Sequence, residues 1–215
     1  LDNWKNPCGA PEVCTALGNS IKIGLLATIF STILGTMIAF AIGRYAFKGR
    51  SSSNLLIFLP MATPEIVLGA SLLSLFLVFH INPGFWPTVI AHVMFCISFV
   101  VVTVKARIAS LDPRLEQAAM DLYANEFETF RRVTLPLVAP GIAAAALLAF
   151  SLSFDDFIIT NFNSGTLKTF PEFVYTSAAR GIPAQANVIG SAMFILALLI
   201  VIGAQFVGRR VKVSK

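Results

Sequence analysis

Five runs of mostly apolar residues, Ile21 to Ala41, Leu55 to Phe79, Trp86 to Val104, Leu137 to Phe154 and Val188 to Val207, leave this chain few ways to fold. Each matches the roughly twenty residues that carry a helix across a bilayer. None alternates with a period of two, as a barrel strand would, so the backbone must satisfy its hydrogen bonds within helices. A chain of 215 residues that is 56% hydrophobic and 13% charged is too apolar for a soluble domain. The expected fold is an all-α integral membrane protein, with residues 1–215 forming a single transmembrane domain of five spans.

The basic residues divide the segments between the runs into two classes. Arg44, Lys48 and Arg50 follow the first run, Lys105, Arg107, Arg114, Arg131 and Arg132 separate the third from the fourth, and Arg209, Arg210, Lys212 and Lys215 follow the fifth. The other segments hold only Lys5, Lys168 and Arg180, with Lys22 placed to snorkel at a helix end. Positive residues mark cytoplasmic loops. The amino terminus is therefore expected outside and the carboxy terminus in the cytoplasm, with 105–136 a cytoplasmic loop and 155–187 an external segment. The net charge of +5 then describes topology, and no nucleic-acid partner is expected.

The cytoplasmic loop carries the most pattern. Between Leu115 and Pro140, Glu116, Asp121, Glu126, Glu128, Arg131 and Arg132 mix both signs, while Leu115, Ala118, Ala119, Leu122, Phe127 and Phe130 recur at helical spacing. This predicts two short amphipathic helices. Asn125 with Glu128 is a capping-box pair, which places a second helix start after a break near Tyr123 and Ala124. Pro136 and Pro140 mark the approach to the fourth run.

Several single residues stand out against the apolar background. Pro60 and Pro64 interrupt the second run just before Glu65, which a straight helix from Leu55 would carry roughly 15 Å deep at 1.5 Å per residue. An acid at that depth is unfavourable and faces a cavity or a partner, here either a substrate pathway or backbone freed by the prolines. The fourth run ends in Asp155 and Asp156 between Phe154 and Phe157, where they either line an aqueous pathway or cap the following segment. Phe154, Phe157 and Phe162 offer faces for cation–π contact. His92 reads as a histidine satisfied by a neighbouring helix, and Gly35, Ala39 and Gly43 as a small-residue packing stripe. Thr169, Phe170, Pro171 and Glu172 form a second capping-box pattern, predicting an external helix from about Phe170 to Arg180. Cys8 and Cys14 in the outer amino-terminal segment suit a disulfide better than a metal site, and Cys96 a packing role. No phosphate-binding loop, metal-ligand spacing or nucleophile constellation appears, so the chain is not expected to be an enzyme.

The loop resembles the EAA loop of ABC importer permeases. The matching positions are Gln117, Ala118 and Ala119, then Asp121 and Leu122, Tyr123 at the family glycine, and Val133, Thr134, Leu135 and Pro136. Gln117 stands for the family glutamate beside Glu116. Tyr123 tolerates a left-handed turn poorly, which suggests a turn moved toward Asn125. Pro64 to Val67, Phe99 to Val104 and Ser153 to Asp156 narrow the resemblance to the second permease subunit of spermidine/putrescine importers.

The resemblance implies a type I, MetI-like helical bundle in the bacterial inner membrane, with a further span upstream of Leu1. It also implies a homologous permease subunit, two ATPase copies that hold ATP and magnesium, and an external substrate-binding protein. No cofactor is implied for this chain. Gln117, Ala118, Ala119, Asp121, Tyr123, Asn125, Glu126, Phe127, Phe130 and Arg131 would contact the ATPase. Glu65, Asp155, Asp156, Phe154 and Phe157 would line the polyamine path. Another cationic or zwitterionic solute, or a channel or secondary transporter without an ATPase, fits the same residues.

Overall fold

A computed structural model describes residues 2–10, 12–179, 181–195 and 198–199. The helices are α1 (Asp2–Lys5), α2 (Val13–Arg44), α3 (Arg50–Ala62), α4 (Glu65–Val78), α5 (Phe85–Ala109), α6 (Arg114–Asp121), α7 (Glu126–Thr129), α8 (Leu135–Asp155), α9 (Ile158–Asn163) and α10 (Phe170–Ala178). A further apolar helix, α11, spans Ala184–Ile195. Among the described residues there is no strand. Residues 196–197 and 200–207 of the fifth run, the basic residues Arg209, Arg210, Lys212 and Lys215, and Arg180 lie outside the described residues.

α2, α5 and α8 pack on one another and enclose the core, in which Ala39, Ala91, Phe95, Cys96, Val100, Val104, Val138, Ala145 and Ala149 are buried. Small side chains set the closeness of that packing. A Cβ on Gly35 would lie 2.7 Å from Val100 Cγ1, and one on Gly43 would lie 3.5 Å from Ile108, so the stripe on α2 is the seam with α5. Gly141 does the same for α8, where a Cβ would meet the Arg107 stem at 2.5 Å. The guanidinium of Arg107 thereby reaches across α8, donating to Leu137 O from Nε at 3.0 Å and Nη2 at 2.8 Å.

The second run differs from a straight span. Its two halves, α3 and α4, meet at an angle of 107°. Pro64 lacks an amide hydrogen and disfavours the α conformation at Thr63, which is extended at φ −82° and ψ 131°. Glu65 is consequently the first residue of α4 rather than the middle of a continuous helix, and the depth calculated along a straight axis does not apply.

The fourth run differs in the opposite sense. Pro136 and Pro140 do not stop the helix, because α7, a π-helical turn at Phe130–Thr134 and α8 run on continuously from Glu126 to Asp155. The π turn, closed by Leu135 N–H donating to Phe130 O, absorbs the first proline, which falls at the start of α8. α5 extends to Ala109, into the segment 105–136.

The segment 155–187, expected to lie outside with one short helix, holds α9, α10 and the first residues of α11. The first, α9, folds back against α4 with Ile159, Thr160 and Asn163 fully buried. α10 packs instead on α2. It joins the amino-terminal segment and α11 in a second apolar cluster containing Val13, Ala16, Phe173, Ala186 and Ile189. Cys8 and Cys14 are bridged there, with Cα atoms 5.4 Å apart. Lys168 pairs with Glu12 at 2.9 Å, and Phe170 N–H donates to Ser20 Oγ at 2.8 Å. The Thr169 hydroxyl makes no cap bond, so the second capping box does not close from that side. Burial raises the Glu172 carboxyl above its ordinary value, against the opposing pull of the Thr169 amide, the Ser164 hydroxyl and Lys168.

Candidate functional site

At the basic end, α6 finishes in a reciprocal pair of bonds. Tyr123 N–H donates to Met120 O at 2.9 Å and Ala124 N–H to Ala119 O at 3.2 Å, the Schellman arrangement. The left-handed residue of that motif is Tyr123 itself, at φ 64°. The expectation that the turn would move toward Asn125 is therefore corrected: two end-capping bonds outweigh the steric cost of the side chain. Asn125 caps α7 as expected, accepting from Glu128 N–H at 2.9 Å while the Glu128 carboxylate accepts from Asn125 N–H at 3.3 Å.

The turn projects Leu122, Tyr123 and Phe127, which are 81%, 99% and 70% exposed. Gln117, Ala118, Asp121, Asn125, Glu126 and Arg131 surround them and are also exposed, while Ala119 is half-buried. Phe130 is separated from this patch, since its ring meets Phe40 edge-on at 5.2 Å inside the bundle. The result is an exposed apolar knob with a mixed-charge rim.

At the far end of α8 the two aspartates part company. Asp156 is buried and caps α9, its Oδ1 accepting from Ile159 N–H at 3.3 Å and its Oδ2 from Thr160 N–H at 2.9 Å. The Thr160 hydroxyl donates to the same carboxylate at 3.1 Å. His92 of α5 completes the network, with Nδ1 2.7 Å from Ser153 Oγ and Nε2 3.0 Å from Thr160 Oγ1 and 3.4 Å from Asp156 Oδ2. With the imidazole proton on Nε2, each donor in this chain finds an acceptor. His92 and Asp156 are thus fixed in the structure, joining α5, α8 and α9.

Asp155 remains exposed, as does Glu65. α4 touches α9 at Gly69, where a Cβ would lie 2.9 Å from Phe162 and 3.4 Å from Ile159 Cα, and where Asn163 Nδ2 donates to Gly69 O at 3.3 Å. Glu65 is one turn earlier on the same face. That brings it within electrostatic reach of both aspartates. Of the aromatic residues, Phe162 is taken up by the Gly69 contact, Phe154 stacks on Phe150 at 5.8 Å, and Phe157 lies 4.3 Å from Tyr175. Sequence reasoning missed Tyr175, because only the fold brings α10 beside α9. Ser153 and Thr160 were legible only as polar residues flanking the aspartates.

Comparison with known proteins gives this geometry its context. A family model described as binding-protein-dependent transport system inner membrane component matches residues 20–213. The spermidine/putrescine transport system permease protein PotC of Escherichia coli is 35% identical over 195 residues, covering 90% of this chain and 74% of that protein. The putrescine transport system permease protein PotI of Escherichia coli is 36% identical over 186 residues, covering 82% of this chain and 66% of its own length. In fold, a chain of the MetNI methionine ABC transporter superposes with a TM-score of 0.68 at 18% identity, covering 94% of this chain and 97% of that one. A chain of a bacterial alginate ABC transporter does so at 0.74 and 17% identity, covering 98% of this chain and 83% of that one. The chain belongs to the family of inner membrane components of binding-protein-dependent transport systems.

Proposed function

We propose that this chain is a transmembrane permease subunit of an ATP-driven polyamine importer, forming half of the pathway beside a homologous permease. The observation that carries the reading is the placement of two exposed acids, Glu65 and Asp155, at the break between α3 and α4 and the break between α8 and α9. A polyamine bears ammonium groups separated by apolar carbon chain, and crossing a hydrocarbon layer demands negative charge at successive points. The likeness to PotC and PotI supports the same solute class. Family membership favours a binding-protein-dependent system over a channel or secondary transporter acting alone.

In this reading the knob formed by Leu122, Tyr123 and Phe127 docks with one of two ATPase copies, which hold the ATP and magnesium. An external binding protein delivers the solute to the end that carries the disulfide, and the amino-terminal end faces outward. Closure of the ATPases moves the docked loops and switches the pathway between its two openings. His92 and Asp156 act as a brace that fixes the backbone on which Asp155 is displayed.

The test is spermidine uptake by the complete importer in proteoliposomes. Glu65→Gln with Asp155→Asn should lower uptake by about tenfold, equivalent to roughly 1.4 kcal/mol, while the ATPase still copurifies. Wild-type uptake in that double variant would exclude the acids from the path. Competition by a zwitterion that matches competition by putrescine would replace the solute class.

A further inference from the structure

The end of α2 is tied to the cytoplasmic loop by a cluster of five side chains. Arg44, the last residue of α2, ion-pairs through Nη2 with Glu116 Oε1 in the first turn of α6. The same Nη2 donates to Thr134 Oγ1 at 3.3 Å, and the buried Thr134 hydroxyl donates to Glu116 Oε1 at 2.6 Å. Three segments distant in sequence therefore share one carboxylate. Apolar contacts back the polar ones: the Arg44 guanidinium lies 5.7 Å from the Phe40 ring centroid, and Phe40 meets Phe130 edge-on. Phe130 and Thr134 are the two ends of the π-helical turn. That turn inserts an extra residue into the helix and so rotates α7 relative to α8.

We propose that Arg44, Glu116 and Thr134 form the joint that makes the cytoplasmic loop move as one body with α2 and α8. The proposal rests on the ATPase-docking reading above. Without the joint, α6 is attached to the bundle mainly by its two chain connections, and displacement of the exposed knob would be taken up by flexing between α6 and the spans. With it, a push on the knob is passed directly to α2, which is packed along both α5 and α8. Glu116 thereby supplies an acidic anchor next to Gln117, and its carboxylate faces into the bundle side of α6 while Gln117 is exposed. These three are positioning residues, remote from the solute.

The experiment compares solute taken up per ATP hydrolysed in the assembled importer for Glu116→Gln, Arg44→Glu, Glu116→Arg and the Arg44→Glu, Glu116→Arg double reversal. The two partners are partly exposed, so reversal is sterically and electrostatically admissible. Glu116→Gln preserves shape and the bond from Thr134 while removing charge. Each single change should leave ATPase association intact and lower uptake per ATP by about fivefold or more, and the double reversal should recover most of it. Unaltered uptake per ATP in the single variants overturns the joint, as does a double reversal no better than either single one. Absence of ATP-dependent uptake from the wild-type assembly overturns the importer reading itself, and with it any role of the joint in coupling.

Discussion

Tyr123 occupies a backbone conformation that suits glycine, and its side chain touches almost nothing of its own chain. The left-handed conformation costs an ordinary residue about 1–2 kcal/mol. A glycine there would gain most of that back, less about 0.5–1 kcal/mol for the greater freedom of its unfolded chain. Tyr123→Gly is thus expected to stabilise the turn by up to about 1 kcal/mol, seen as severalfold slower hydrogen exchange at the Ala124 amide, which donates the longer bond of the cap. The same change should weaken ATPase association, because it deletes the most exposed part of the knob. Faster exchange at Ala124 would show that the ring stabilises the turn. A strained aromatic residue held in solvent is understandable where a partner covers it, and the strain is then retained for the contact.

At the scale of elements, what the sequence revealed and what it hid have separate causes. Helices driven by uninterrupted apolar composition, α2, α5 and α8, were legible because the bilayer demands length and leaves one solution. So was the start of α7, where Asn125 and Glu128 must meet over one turn. The 107° bend between α3 and α4 was visible as two prolines but not as an angle. The inward fold of α9 was hidden because Asp155 and Asp156 look alike in sequence, and only the folded contacts of Asp156 with His92 and the first turn of α9 distinguish them. α10 offers a test of how burial acts on such an element. Glu172 holds its proton more tightly folded than unfolded, so its contribution to stability is fully present below the ordinary carboxylate range and is lost as pH rises through the raised value. Glu172→Gln keeps the oxygen and cannot ionise. The variant's melting temperature relative to wild type should therefore climb from acidic to neutral pH, and a difference that stays constant would mean the carboxyl is not perturbed.

At the scale of the whole molecule, the two polar ends are held apart by the length of α2. Its 32 residues span about 48 Å at 1.5 Å per residue, longer than the roughly 30 Å of hydrocarbon. The Arg44 joint closes one end, and the bridged cysteines with the Glu12–Lys168 pair close the other. Lys105, bonded to Asn54 at 2.6 Å, and Arg107 lie at the end of α5 that packs beside Gly43 and Arg44, so two of the three basic segments of the sequence meet on a single side. By the positive-inside rule that side is expected to face the cytoplasm. Single-cysteine labelling in intact cells tests the assignment with little background, because Cys8 and Cys14 are bridged and Cys96 is buried. Gly165 is a poor site for the outer probe, as its φ is 65° and a Cβ would lie 2.9 Å from Pro83 O. Thr166 beside it is exposed, as is Ser52 at the opposite end. A membrane-impermeant maleimide should modify Thr166→Cys in intact cells and reach Ser52→Cys only after permeabilisation. The opposite pattern would place the knob outside the cell, where no ATPase could dock with it, and would overturn the topology together with the function built on it.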